Sequence, residues 1–159
     1  MSATFSECGK YRYLLGREFP NTLPTSKAVF VMLNPSTADA TEDDPTIRRC
    51  IGFAKSWGYS GLIVANIYGL RSTKPAELWA SDDPIGPEND GILRGLAHKH
   101  GEIICAWGAN AKADRVSQFR TFMTYYGAEL LCLGVTISGA PRHPLYLKKD
   151  AKLRPWELP

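Results

Sequence analysis

Four short apolar runs, each ending at or beside a polar residue or a glycine, constrain the fold of this chain most. The runs span residues 28–33, 62–67, 103–107 and 130–133. They are rich in β-branched and large apolar residues, as is typical of strands buried on both faces of a sheet. Helices are predicted at 44–57, 75–80, 88–100 and 111–126. This alternation predicts a three-layer α/β/α protein with a central, mainly parallel four-stranded sheet.

The rest of the chain is consistent with a single domain over residues 1–159. The opening at 10–19 is aromatic and basic and predicts one or two short strands, and 20–26 predicts a loop. Hydrophobic residues make up 44% and charged residues 22%, which excludes a disordered chain. No apolar run approaches the roughly 18 residues of a spanning helix. The first residues lack the apolar stretch of a signal peptide, so we expect a cytoplasmic protein with no membrane partner.

Charge and cysteine usage leave the partner open. The net charge is +3, which suits a nucleic-acid partner and equally suits a solvated, slightly positive surface. Basic residues concentrate near the end of the chain, at Arg142, Lys148, Lys149, Lys152 and Arg154. The four cysteines form no C-x-x-C pair, and we expect neither a metal nor a cofactor. No obligate protein partner is inferred.

Polar residues at the strand ends are the candidates for chemistry. Asn34, Asn66, Gly108 and Gly134 interrupt the four runs, and in a parallel sheet these positions share the edge where ligands bind. An Asn amide can hydrogen-bond a base edge or hold a water, and His143 can donate to a developing negative charge or a phosphate. The alternatives are an Asx turn or cap for Asn34, a strand-end hydrogen bond for Asn66, and an exposed loop position for His143.

The segment after the first strand offers further candidates. Asp44-Pro45-Thr46 fits a helix start with Pro at the first position, so the segment is either a capped, charged helix start or one in which Asp44 or Thr46 faces the site. Arg12 and Arg17, in the aromatic opening, are candidates for contact with a phosphate.

Four segments resemble the motifs of the uracil-DNA glycosylase superfamily, in the same order along the chain. They are VFVMLNPSTAD, IVANIYGLR, IICAWGANA and PRHPLYL, between residues 28 and 147. The resemblance implies that superfamily's fold and the hydrolysis of an N-glycosidic bond on a base flipped out of DNA or on a nucleotide. It implies that Asn34 positions the attacking water, Asn66 hydrogen-bonds the base edge and His143 stabilises charge on the departing base. Tyr68 or Trp107 would stack on the base.

The remaining substrate-binding candidates lie in or beside these motifs. They are Pro35, Ser36, Asp44, Gly108 and Arg142. The whole chain is also similar to a bacterial and phage family of uncharacterised domains that carries the signatures MLNPSTAD and PRHPLY, here residues 32–39 and 141–146. That family brings no activity.

Three departures from the glycosylase motifs favour a second reading of the function. Ser36 stands where the first motif usually has Gly, and Leu145 stands where the last motif commonly has Ser. No clear aspartate that would activate the water follows the first motif either, since Asp39 and Asp44 lie too far along to match it. Together these departures favour a non-catalytic nucleic-acid or nucleotide binding module on the same fold. A different nucleotide-processing enzyme on this scaffold is a third possibility, because a fold alone does not determine activity.

Overall fold

A seven-stranded mixed sheet organises the protein. The computed structural model describes residues 1–20 and 26–157. The strands are β1 Ser2–Phe5, β2 Arg12–Glu18, β3 Lys27–Met32, β4 Gly61–Asn66, β5 Glu102–Cys105, β6 Glu129–Cys132 and β7 Arg154–Pro155. Their order across the sheet is β1-β2-β4-β3-β5-β6-β7.

The four strands expected from the apolar runs are β3 to β6, and they form the parallel centre of this sheet. β4, β3, β5 and β6 are neighbours, with β3 paired to β4 from Lys27↔Gly61 to Met32↔Asn66. A mixed α/β fold is therefore confirmed. The expected four-stranded sheet was wrong, because β1 and β2 extend one edge in antiparallel fashion and β7 extends the other. Three strands thus lie outside the four-stranded arrangement that the apolar runs predicted, and one of them, β2, falls in the opening where one or two short strands were expected.

Helices cover both faces of the sheet. They are α1 Pro45–Ser56, α2 Pro75–Ala80, α3 Asn89–His100 and α4 Ala113–Tyr125, followed by a 3-10 helix at Pro144–Tyr146. The apolar side of α1 packs on one face with Phe30 and Met32, whereas α2, α3 and α4 pack on the other with Val29 and Val31. This alternation along β3 follows from the two-residue period of a strand. The loop expected at 20–26 lies for the most part outside the described residues.

The topology gathers several chain segments at one edge of the sheet. The parallel strands β3 and β5 are neighbours, so the loops after them meet at their carboxyl ends. β2 runs antiparallel to β4, so its first residue, Arg12, lies at this same edge. Within the described ranges, no helix combines the length and apolar character needed to cross a membrane.

Candidate functional site

A cleft of about 450 Å³ opens at the carboxyl ends of β3 and β5. Its walls come from the turn after β3, the start of α1, the loop after β4, the loop after β5 and the 3-10 helix. An adjoining depression of about 670 Å³ continues it along the loop after β6 and shares Gly108, Ala109, His143 and Tyr146 with it. Such an edge is where open α/β sheets bind their ligands.

Most of the residues predicted from the strand ends meet in this cleft. Asn34, Ser36, Asp44, Trp107, Gly108 and His143 line it, and Arg142 lines the adjoining depression. Pro35, Asn66 and Tyr68 line neither. Thr46, the alternative to Asp44 at the helix start, also lines the cleft.

Asn34 ties two walls of the cleft together. Its Nδ2 donates to the carbonyl of Ser72 at 2.9 Å and to that of Pro35 at 3.1 Å, which joins the turn after β3 to the loop after β4. The amide nitrogen is therefore engaged by the protein, but not in the expected Asx turn or cap, in which the side-chain oxygen would accept from a backbone amide. Its Oδ1 accepts no hydrogen bond from the described residues and is the atom of Asn34 that remains for a water or a ligand.

Asp44 both caps α1 and lines the cleft. Its backbone is extended, its Oδ1 accepts from the amide of Ile47 at 2.8 Å, and Pro45 occupies the first helical position. These features explain why the helix begins where the sequence indicated. One carboxylate oxygen satisfies the helix start, and the other has no hydrogen-bond donor among the described residues. The two roles that the sequence left open are thus compatible.

His143 presents a neutral imidazole to the same cleft. Its Nδ1 accepts a hydrogen bond from the amide of Leu145 at 3.3 Å, which places the proton of the neutral ring on Nε2. Burial lowers the pKa of His143 below its ordinary value, and the nearby Asp44 carboxylate raises it by less. The amide of Gly108 donates to the carbonyl of Pro141 at 2.8 Å, which holds the loop after β5 beside the segment that carries His143. An N–H donor and a carboxylate are therefore both among the residues that line the cleft.

Arg12 is the cation of the cleft. It is 2% exposed, and its Nη1 donates to the carbonyl of Ala38. Burial lowers the pKa of Arg12 to about 10, which leaves it charged at neutral pH. The sequence identified Arg12 as a candidate for contact with a phosphate but did not place it in the cleft. Its position at the carboxyl edge of the parallel strands depends on the antiparallel pairing of β2 with β4.

The structure separates Asn66 and Tyr68 from the cleft. Asn66 is 1% exposed, and neither polar atom of its side chain has a hydrogen-bond partner among the described residues. Tyr68 is buried, and its hydroxyl accepts from the amide of Lys112 at 3.2 Å. The ring of Trp107 packs edge-on against Phe119 and Trp156 in the core.

Tyr146 is the exposed aromatic residue of the cleft, and the sequence analysis missed it. Its side chain is 86% exposed, and its ring centroid lies 6.3 Å from that of His143. A signal for it was present, since it follows His143 by three residues in the last motif. An aromatic ring so placed can stack on a base, as exposed aromatic residues do in single-strand nucleic-acid sites.

A groove lined by basic side chains, the basic groove, lies outside the cleft. Arg48, Arg49 and Lys149 line a depression of about 380 Å³ on the exposed side of α1. Arg49 donates to the carbonyl of Leu147, which links α1 to the basic end of the chain. No three His, Cys, Asp or Glu side chains group as a metal site would require, within the part of the chain that the structure describes.

Comparison with known proteins places the chain in a family. Neither curated proteins nor solved structures gave a match. A family profile described as "Protein of unknown function (DUF1643)" matches residues 12–145, from the first residue of β2 to the 3-10 helix. The match covers most of the chain and contains all of the cleft residues named above except Tyr146. The chain therefore belongs to this family of unknown function.

Proposed function

We propose that this protein hydrolyses the N-glycosidic bond of a nucleotide, either free or in DNA, within the cleft. The proposal rests on one observation: the Asp44 carboxylate and the neutral His143 imidazole line the same cleft at the carboxyl edge of the sheet. The order of the four glycosylase-like segments supports the same reaction class. The basic groove beside α1 supports an anionic partner such as DNA.

The reaction needs a base and a hydrogen-bond donor. Water attacks the anomeric carbon while the bond to the base breaks, and Asp44 accepts a proton from that water. The base leaves with the bonding electron pair, whose charge the Nε2–H of His143 stabilises before the base is protonated. Asn34 Oδ1 is available to position the water, and Tyr146 to stack on the base. A role for Asn66 in binding the base edge stays a prediction, because its side chain is buried outside the cleft.

The direct test is the release of free base. Purified protein is incubated with uracil-containing, mismatched and modified-base DNA and with free nucleotides, and released base is quantified by chromatography. Asp44→Asn is the diagnostic variant, because Asn caps a helix about as well as Asp but cannot accept the proton. We expect it to slow base release by roughly 100-fold or more. Failure to release base from every substrate, with normal binding, contradicts the proposal.

A binding module without chemistry is the second candidate. It is favoured by the engagement of the Asn34 amide with Ser72, which makes this residue part of the wall of the cleft. Asn34→Ala and His143→Ala separate the two functions. Loss of turnover with retained binding supports the hydrolase, whereas loss of binding in a protein that never releases base supports the module.

A further inference from the structure

Arg12 differs from the other buried arginines of this protein. Arg12, Arg17 and Arg115 are each 2–3% exposed. Arg17 contacts Asp43 and Arg115 contacts Asp90, both at 2.7 Å. Arg12 has no carboxylate within ion-pair distance among the described residues. Since a buried charge is costly unless it is paired, this arginine requires an explanation that the other two do not.

The hydrogen bonds of Arg12 leave one edge of the guanidinium unused. Nη1 donates to the carbonyl of Ala38, whereas Nε is sealed from solvent with no partner, and Nη2 has no partner among the described residues. Because Nε is sealed, Nη2 is the group of the guanidinium that remains for a charge-assisted hydrogen bond to an oxyanion. Because Arg12 also lines the cleft, a ligand can supply the acceptor that Nη2 lacks.

The charges around Arg12 are not arranged to neutralise it internally. Asp39 and Asp44 are the nearest acids, and Arg17 and Arg71 are nearby cations. Asp39 Oδ1 accepts from the amides of Thr41 and Glu42, and Asp44 Oδ1 accepts from the start of α1. Asp44 also lines the cleft and repels a second anion, so a bound anion must lie against Arg12 rather than at the helix start.

We infer that Arg12 binds the terminal phosphate of a nucleoside monophosphate, the anionic end of which enters the cleft first. Arg12 is recessed, so a phosphate must be carried into the cleft to reach it. A phosphate inside a nucleic-acid strand has a sugar on both sides and stays at the mouth, whereas a terminal phosphate can enter. Nη2 of the charged guanidinium can donate to an oxygen of that phosphate. The inference rests on the proposed function only for the nucleoside part of the ligand.

Binding measured without turnover tests this inference. Titration calorimetry in a phosphate-free buffer compares nucleoside monophosphates, the matching nucleosides, inorganic phosphate and dinucleotides that lack a terminal phosphate. Arg12→Met removes the proposed contact. Arg94→Met is the matched control, since it removes the same charge from an exposed position on α3, outside the cleft and the basic groove. Circular dichroism verifies that both variants are folded.

The expected result is a monophosphate that binds more tightly than its nucleoside and more tightly than the dinucleotide. Arg12→Met should weaken monophosphate binding by roughly 10- to 100-fold, as loss of charge-assisted hydrogen bonds predicts, and leave nucleoside binding unchanged. Arg94→Met should change neither by more than about twofold. Equal affinities for monophosphate and nucleoside, or equal losses in both variants, overturn the inference even if the protein releases base. A phosphate preference lost only in Arg12→Met supports it even if no base is released.

Discussion

Replacing Arg12 with methionine should make the folded protein more stable while it removes the phosphate contact. In the unliganded protein the guanidinium is buried, and its Nε lacks a hydrogen-bond partner among the described residues. Methionine has an unbranched, adaptable side chain that fills much of the same space without a charge. Mutations at binding residues commonly raise the stability of the folded protein while they reduce its function.

The size of the effect follows from two opposing contributions. Burial lowers the pKa of Arg12 to about 10, which corresponds to a cost of about 3 kcal/mol for holding the charge in the folded state. This cost is present in full at neutral pH, where the folded and unfolded states are both charged. Removing the side chain also forfeits the hydrogen bond to the Ala38 carbonyl, about 2 kcal/mol for a charged donor. The net expectation is a gain of about 1 kcal/mol in the free energy of unfolding.

Arg17→Met provides the contrast, because Arg17 is as deeply buried but fully engaged. Its guanidinium pairs with Asp43 and donates to the carbonyls of Gly16 and Asp39. Removing it leaves these acceptors without a donor and should cost about 3 kcal/mol. Urea denaturation of the wild type and both variants at pH 7.5, without phosphate, measures the difference. Equal destabilisation in both variants refutes the reasoning, because Arg12 would then be a satisfied structural residue.

Three further outcomes can be measured on the same protein. Gly61→Ala should destabilise the protein by about 1–3 kcal/mol in urea denaturation, because a Cβ would lie 2.5 Å from the carbonyl oxygen of Arg17. Gly52→Ala should instead stabilise it by about 0.5–1 kcal/mol, because Gly52 lies on α1 with open space around it and Ala is the better helix former. The pKa of His143 is lowered in the folded state, so the unfolded state binds more protons and the free energy of unfolding falls as the pH drops below about 6.5. His143→Gln should reduce this loss of stability between pH 7.5 and pH 5. Mass spectrometry after iodoacetamide treatment of the native protein should find the label on Cys8 and not on the three buried cysteines, because Cys8 is exposed and its hydrogen bond with Ser6 lowers its pKa.

The central strands were predictable because their residues specify a buried environment directly. β3 and β4 are continuous apolar runs, and their observed bounds lie within a residue or two of the predicted ones. β1 alternates exposed and half-buried positions, and β7 is two residues long and contains Pro155. Neither has an apolar run, and both exist through pairing with a neighbouring strand. Such edge strands depend on tertiary contacts that a local pattern does not encode.

The site was predictable to the extent that it lies at carboxyl ends of parallel strands. That rule brought Asn34, Gly108 and His143 together with Asp44 at the following helix start. It could not locate Arg12, which reaches the same edge from the amino end of an antiparallel strand. It also could not tell that Asn66, at the end of β4, is covered by the packing around it.

The rate of base release by Asp44→Asn, set against Asp82→Asn, tests the central claim most directly. Both variants lose one carboxylate, but Asp82 is exposed and lies outside the cleft, and Asn retains the cap at position 44. On any nucleotide or DNA substrate that the wild type cleaves, we expect near-normal release by Asp82→Asn and a roughly 100-fold or greater loss in Asp44→Asn, with substrate binding retained. Equal rates in the two variants, or no base released by the folded wild type from any substrate tested, would contradict the proposed hydrolysis.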